Sequence, residues 1–153
     1  MVDAKRRIAV LVLLAMMTGC GGGAEEEKDH VRACSANLHN IASACTTYSS
    51  MNRKYPESLQ SMLKEGKEMF PSDLLKCPGD NSQRACGYFY VAPEQEADNM
   101  TLMLCDLPGN HKQVRCVAFK CRVIKQLTKD EFQAALKLPH NAAFAAALEK
   151  AGG

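Results

Sequence analysis

The chain has 153 residues, a formal net charge of +2 and no tryptophan. A chain of this length forms one domain with a modest hydrophobic core. Its lysines and arginines do not concentrate in one stretch, which argues against a nucleic-acid-binding surface.

A signal segment is the first predicted element, at residues 1–19. Arg6 and Arg7 precede an apolar run that extends from Ile8 to about Met17. A helix that crosses a membrane needs about 20 apolar residues. The shorter run therefore predicts a secretory signal peptide rather than a membrane span.

Cys20 closes the signal segment. The sequence Met17-Thr18-Gly19-Cys20 resembles the bacterial lipobox, which implies a diacylglyceryl group and a further acyl chain, such as palmitate, on this cysteine. Several acyl chains together give durable anchoring. The glycines and glutamates of residues 20–27 then predict a flexible, solvated linker. We expect a protein of the cell envelope, anchored to the inner or outer membrane and facing the periplasm or exterior; the alternative is an ordinary cleaved signal.

Cysteine is abundant in the exported part of the chain. Cleavage before Cys20 removes three basic residues and one acidic residue, which leaves 16 of each and seven cysteines besides Cys20. Exported proteins commonly form disulfides, and an odd number leaves a thiol free or bonded to another chain. The best candidate pair is Cys77 and Cys86, because it closes a loop rich in turn-forming residues and would stabilise the fold by about 2–3 kcal/mol.

The exported domain is predicted to span residues 28–138 and to open with an amphipathic helix at about 26–51. Apolar residues recur three and four positions apart along this helix, at Val31, Cys34, Leu38, Ile41, Cys45 and Tyr48. Cys34 and Cys45 both face the core, but they lie about 16 Å apart along the axis, too far to bond to each other. Each is therefore a packed thiol or pairs with another segment.

Short elements follow the first helix. We expect a short helix from Tyr55 to about Gly66 and an irregular stretch at 67–86. Strands are predicted at 87–91, 100–105 and 114–123. The polar connections between the strands favour antiparallel pairing.

The last predicted elements are helical. Thr128 and Glu131 have the spacing of a capping box, so a helix is expected from Thr128 to about Lys137. Pro139 interrupts it, and an alanine-rich helix follows in a C-terminal tail at residues 139–153. Together the elements predict an α+β fold, with the first helix packed on a three- or four-stranded antiparallel sheet.

No local motif predicts an enzyme or a cofactor site. The spacing of His111, Cys116 and Cys121 matches no common zinc pattern, and the last two project to opposite faces of a strand. The sequence has no Cys-x-x-Cys pair of the kind that thiol–disulfide enzymes carry. No signature pairs a cysteine with a histidine for hydrolysis. We therefore expect no catalytic residue, no metal and no cofactor.

Several stretches, in this order, resemble the globular part of type IV pilin-like proteins and type II secretion pseudopilins. They are Cys34–Ile41 with Tyr48, Tyr55–Leu59, Leu75–Pro78 and Tyr88–Tyr90. The stretch from Asn110 to Phe119 resembles the His-then-Asp-Gly end of a prepilin-type domain. The resemblance implies a pilin-like head, in which a helix packs on a small antiparallel sheet.

The chain departs from this family at two places. A lipobox and a glycine linker stand where pilins carry their processing site and apolar assembly helix, so filament growth by the usual route is not expected. The Asp-Gly pair of the family is replaced around Cys121, so no role of that turn carries over.

We therefore predict a non-catalytic, membrane-anchored envelope lipoprotein with a structural, secretion-associated or protein-interaction role. Tyr55, Tyr88 and Tyr90 are candidate surface contacts for envelope protein partners. One alternative is a periplasmic small-ligand-binding lipoprotein, which needs a concave pocket. The other is a thiol- or redox-active exported protein that uses the odd cysteine.

Overall fold

A computed structural model describes residues 22–65 and 71–152 of the chain. Its helices and strands are α1 (Gly22–Asn52), α2 (Leu59–Glu65), β1 (Tyr88–Tyr90), β2 (Leu102–Asp106), β3 (Val114–Phe119), β4 (Ile124–Thr128), α3 (Lys129–Leu136) and α4 (Ala142–Lys150). Two 3-10 turns lie at Ser72–Leu75 and Pro139–Asn141. The predicted signal segment and Cys20 lie outside the described residues.

The strands form one antiparallel sheet in the order β1-β2-β3-β4. Tyr88 at the start of β1 pairs with Asp106 at the end of β2. Because successive strands reverse direction, β3 also starts at this end of the sheet. The segment before β1 and the turn between β2 and β3 therefore meet at one end of the molecule.

Helices cover both faces of the sheet. On one face α1 buries Leu38 and Ile41 in the same core as Leu104 of β2. On the other face α3 and α4 bury Phe132 and Phe144 in a second core. Neighbouring residues of a strand point to opposite faces, so each central strand contributes side chains to both cores.

The predicted fold class is confirmed as α+β, with a long first helix, a four-stranded antiparallel sheet and short C-terminal helices. Cys34 and Cys45 are both fully buried on the core side of α1, as the apolar periodicity predicts. The capping box is also confirmed, because the backbone N–H of Glu131 donates to the Thr128 hydroxyl and the Thr128 N–H donates to the Glu131 carboxylate.

The predicted third strand at 114–123 is too long, since β3 ends at Phe119. The Arg122 N–H donates to the Phe119 carbonyl at 2.8 Å, and the Phe119 N–H donates to the Val123 carbonyl at 3.0 Å. Arg122 has a φ of 66°, a left-handed conformation that glycine or asparagine usually adopts. Because arginine rarely marks such a turn, the sequence pattern did not predict it. A further strand, β4, follows the turn.

The two ends of the described chain differ from their predicted roles. α1 begins at Gly22, so residues 22–27, which were predicted to be a flexible linker, are helical. At the other end, Phe144 and Leu148 are buried in the core of the sheet. Residues 139–152 are therefore part of the folded domain rather than a separate tail, because their apolar side chains cover one face of the sheet.

The three tyrosines that were predicted as surface contacts face inward. Tyr55 and Tyr88 are buried, and Tyr90 is half-buried. The Tyr90 hydroxyl donates to the Pro56 carbonyl at 2.8 Å, and Asn37 Nδ2 donates to the Tyr88 hydroxyl at 3.3 Å. Their hydroxyls are used inside the domain, which is why these aromatic rings do not form an interaction surface.

Asn141 joins the C-terminal helices to the sheet. Its side chain is fully buried, its Oδ1 accepts from the Leu102 N–H at 2.7 Å, and its Nδ2 donates to the Ala135 carbonyl at 2.9 Å.

We expect Asn141→Ala to lower the free energy of unfolding by about 2 kcal/mol, because the buried Leu102 N–H loses its acceptor. Urea unfolding measures this loss. Asn40→Ala, at an exposed position of α1, should change stability by less than about 0.5 kcal/mol; equal losses would contradict the role of Asn141.

Candidate functional site

Three cysteines and one histidine meet where α1 crosses the end of the sheet. They are Cys34 on α1, Cys77 just after the first 3-10 turn, His111 in the turn between β2 and β3, and Cys116 on β3. The sulfurs of Cys34 and Cys77 and a ring nitrogen of His111 all lie within 4.8 Å of one another. We call these four residues the thiol–imidazole cluster.

The closest polar contact within the cluster joins Cys77 Sγ to His111 Nε2 at 3.4 Å. The Cys116 thiol interacts with both Cys34 and His111. On its outer side the Cys116 sulfur lies 3.8 Å from the Ser35 hydroxyl and 3.9 Å from the Val31 carbonyl. Cys34 and His111 therefore each interact with both Cys77 and Cys116.

The segment that carries Cys77 is held in place by close backbone packing. A Cβ atom on Gly79 would lie 2.2 Å from the Asn110 carbonyl and 2.8 Å from the His111 ring, and one on Gly87 would lie 2.9 Å from the Cys77 Cβ. Only glycine fits these two positions without a shift of the neighbouring chain. The loop between Cys77 and Gly87 therefore packs directly on the turn that carries His111.

Asn110 ties the same two segments together by hydrogen bonds. Its Nδ2 donates to the Gly87 carbonyl at 2.9 Å, and its Oδ1 accepts from Arg84 at 3.1 Å. The Arg84 guanidinium also binds both oxygens of Asp80 at 3.1 Å. These contacts fix the positions of Cys77 and His111 relative to each other.

Two carboxylates lie beside the imidazole of His111. Glu27 Oε1 is 3.6 Å from Nδ1, the ring nitrogen that faces away from Cys77, and also accepts from the Lys112 N–H at 3.0 Å. Asp106 Oδ2 is 3.9 Å from Nε2, while Asp106 Oδ1 accepts from the Cys116 N–H at 2.9 Å. Both carboxylates therefore contact residues of the cluster or their backbone.

The thiol–imidazole cluster is closed to solvent. Cys34 and Cys116 are 0% exposed, Cys77 is 3% exposed, and the His111 side chain is 0% exposed. Three buried side-chain N or O atoms of the described residues lack a hydrogen-bond partner, and two of them, His111 Nδ1 and Asp106 Oδ2, belong to this region. A buried polar atom without a partner lowers the stability of the fold, so each of these two atoms requires an explanation.

The electrostatics of the cluster favour thiolates. Hydrogen bonding with the Cys34 thiol lowers the pKa of Cys77 to about 5, and the same contact lowers the pKa of Cys116 to about 5, in both cases against the effect of burial. The neighbouring Cys116 and Cys77 raise the pKa of Cys34 far above its ordinary value. Burial alone would lower the pKa of His111, but its hydrogen bonds with Cys116 and Cys77 raise it to about 10. Thiolate is the form of cysteine that binds metals and reacts with electrophiles.

The structure does not contain the disulfide predicted between Cys77 and Cys86. Both are free thiols, and they have different surroundings: Cys77 faces the cluster, while the Cys86 thiol donates to the Tyr88 carbonyl at 3.3 Å. The loop between them is closed instead by a backbone hydrogen bond from the Gly87 N–H to the Leu75 carbonyl at 2.7 Å. The predicted lipidation site, Cys20, lies outside the described residues.

Of the three residues weighed as metal ligands from sequence, the structure brings two together. His111 and Cys116 join the cluster, whereas Cys121 packs against the opposite core and lies 3.9 Å from the Met100 sulfur. The predicted projection of Cys116 and Cys121 to opposite faces assumed one strand over 114–123, but β3 ends at Phe119 and Cys121 lies in the turn that follows it. Cys34 and Cys77, which complete the cluster, were not predicted as ligands because both are far from His111 in sequence.

One sequence signal points toward this site. Cys34 faces the core of a helix on which no second cysteine is close enough to bond, so it is either a packed thiol or has its partner on another segment. The seven cysteines that follow Cys20 point the same way, since an odd number cannot pair completely into disulfides within one chain.

A group of three thiols and one imidazole in a dry site has two chemical uses. It can bind a thiophilic metal ion, or it can supply a reactive thiolate to a substrate that reaches it. No protein-family model, curated protein or solved structure matches this chain.

Proposed function

We propose that this protein is a non-catalytic, lipid-anchored envelope protein whose pilin-like head acts through contacts with other envelope proteins. The observation that carries the proposal is the burial of the thiol–imidazole cluster. Its nucleophilic and basic atoms are covered by α1 and the sheet, so a substrate has no approach to them. A role in holding the domain together fits this arrangement better than a role in catalysis.

The lipid anchor is supported by the order of features at the start of the chain. Arginines, a short apolar run and Met17-Thr18-Gly19-Cys20 are followed by α1, which begins at Gly22. A lipid on Cys20 would therefore be joined to the first helix almost directly. None of the helices in the described residues combines the length and the apolar character that a membrane crossing requires.

The pilin-like assignment rests on the resemblance of the sequence stretches and on the α+β architecture. A long N-terminal helix packed on an antiparallel sheet fits a pilin head. The helical Gly22–Glu27 segment is rich in glycine and glutamate, so it does not supply the apolar surface that pilin assembly uses. We therefore propose a single head held at the membrane rather than a filament subunit.

Membrane fractionation of the full chain and of Cys20→Ala tests the anchor. We expect the wild-type chain in the membrane fraction and the detergent phase, and Cys20→Ala in the aqueous phase. Cys121→Ala, which removes a half-buried cysteine near the chain surface, should fractionate as wild type. Equal membrane association of the wild type and Cys20→Ala would show that the lipid anchor is wrong.

Cross-linking in intact cells tests the interaction role. The anchored chain should give discrete adducts with envelope proteins, identified by mass spectrometry, and Cys20→Ala should lose most of them because it leaves the membrane surface. A chain that yields no adduct while it stays anchored would contradict a protein-interaction function.

A further inference from the structure

We propose that Cys34, Cys77, Cys116 and His111 together bind one zinc ion as a closed structural site. This inference goes beyond the proposed function, because neither anchoring nor partner binding requires a metal.

The spacing of the donor atoms fits a tetrahedral ion. Zinc binds cysteine sulfur at about 2.3 Å and histidine nitrogen at about 2.0–2.1 Å, so its ligand atoms lie roughly 3.5–3.8 Å apart. Cys77 Sγ and His111 Nε2 are already 3.4 Å apart, and the sulfur of Cys34 lies within 4.8 Å of both. Cys116 interacts with Cys34 and His111 but lies outside the set of donor atoms that are all within 4.8 Å of one another. Its sulfur and that of Cys34 would have to move inward to complete the coordination.

The donor set selects a particular class of metal. Calcium and magnesium take oxygen ligands, whereas thiolates and imidazole suit zinc and related transition metals. Four protein ligands without an open position are typical of structural zinc sites, and Cys₃His is one of the common combinations. The burial of all four side chains leaves no room for a bound water or substrate on the metal.

The surroundings of the ligands are those of a metal site. Histidine ligands usually hydrogen-bond a carboxylate or carbonyl through the ring nitrogen that does not bind the metal. Here Glu27 Oε1 faces His111 Nδ1 at 3.6 Å. The backbone N–H of Gly79 donates to the Cys77 sulfur, which stabilises a thiolate. In a zinc site, Nδ1, which otherwise lacks a hydrogen-bond partner, would be the ring nitrogen that faces the Glu27 carboxylate.

A metal also accounts for the number of thiols better than a disulfide does. A bond between Cys34 and either neighbour would leave the third cysteine and the histidine without a role in a dry site. One zinc ion uses all four residues. Of the four residues, Cys77 also lines a surface groove of about 360 Å³, together with Asp80, Ser82 and Arg84.

The ion would join three parts of the fold that are distant in sequence. Cys34 belongs to α1, Cys77 to the loop before β1, and His111 and Cys116 to the β2–β3 turn and β3. Zinc at this position fastens the N-terminal half of α1 to the sheet. This is the half closest to Cys20, so the metal would stiffen the connection between the anchor and the domain.

Zinc content and affinity of the purified full chain test the inference. We compare the wild type with Cys34→Ala and with the matched control Cys45→Ala, which removes an equally buried thiol from the same side of the same helix. We expect one zinc per chain for the wild type and for Cys45→Ala. Competition with a chromophoric chelator should show at least about a 100-fold loss of affinity for Cys34→Ala, since loss of a contact behind a ligand already costs 10–100-fold.

A second pair of variants keeps the test decisive if Cys34→Ala fails to fold. Glu27→Gln removes the carboxylate that faces His111, and Glu26→Gln changes its exposed neighbour. We expect about a 10-fold loss of zinc affinity for Glu27→Gln and none for Glu26→Gln, with unchanged circular dichroism in both. Substitution by cobalt should also give the intense visible bands of a tetrahedral thiolate complex.

Three results would each overturn the inference. The first is a wild-type chain without bound zinc that also fails to bind added zinc ions. The second is an equal loss of zinc in Cys45→Ala and Cys34→Ala. The third is a Cys34–Cys77 or Cys34–Cys116 disulfide in protein whose free thiols are blocked at cell lysis.

Discussion

Phe144→Ala is expected to lower the free energy of unfolding by about 3–5 kcal/mol. Phe144 is 1% exposed, and its ring meets Phe89 edge to face with 5.3 Å between the ring centroids. Truncation removes this aromatic contact and opens a cavity between α4 and the sheet. Urea unfolding at a constant zinc concentration measures the loss, because bound metal also contributes to stability.

Two control variants define what this result means. Phe144→Leu keeps most of the buried volume and should lower the free energy of unfolding much less than Phe144→Ala. Met51→Ala, at a position that is 72% exposed, should change it by less than about 0.5 kcal/mol. If Phe144→Ala cost under 1 kcal/mol, residues 139–152 would contribute little to the stability of the folded domain.

Gly79→Ala is expected to disturb both stability and the thiol–imidazole cluster. The new Cβ would lie 2.2 Å from the Asn110 carbonyl and under 3 Å from two atoms of the His111 ring. The carbonyl belongs to the backbone and cannot rotate away, so the turn that carries His111 has to move. Overpacking of this kind costs roughly 3 kcal/mol, and the displaced imidazole should weaken zinc binding at the same time.

Gly23→Ala is the matched control for this substitution. A Cβ on Gly23, within α1, meets no atom within 4 Å, and alanine favours a helix over glycine. We expect unchanged or slightly higher stability and normal zinc affinity for this variant. Normal zinc affinity in Gly79→Ala as well would contradict the close packing of the Gly79 segment on His111.

Sequence reasoning recovered the fold where the pattern is local. The apolar spacing along α1, the Thr128 capping box and the alanine-rich last helix each depend on residues within a few turns of one another. The hairpin between β3 and β4 was not predicted, because Arg122 adopts a left-handed conformation that glycine or asparagine would normally mark. The tyrosines were misplaced because an aromatic ring with a hydroxyl suits a surface and a core equally.

The thiol–imidazole cluster was not predicted from the sequence for a different reason. Zinc motifs that can be read from sequence place ligands a few residues apart, whereas Cys34, Cys77 and His111 come from three separate segments. Only the sheet order and the packing of α1 bring them within 4.8 Å. The spacing along α1 does show that Cys34 cannot bond to another cysteine of its own helix.

The proposed zinc site and the proposed lipid anchor are compatible with each other. Structural zinc adds its binding free energy to folding, which would help a small domain with a modest core. The four remaining thiols, Cys45, Cys86, Cys105 and Cys121, lie outside the cluster. With zinc bound, the seven cysteines that follow Cys20 would be three metal ligands and four other thiols.

X-ray absorption at the zinc edge of the purified full chain identifies the atoms that surround the proposed metal ion. The thiol–imidazole cluster predicts one zinc per chain, with three sulfur neighbours at about 2.3 Å and one nitrogen at about 2.0–2.1 Å. Zinc surrounded only by oxygen and nitrogen, or a chain free of stoichiometric metal, would contradict the account.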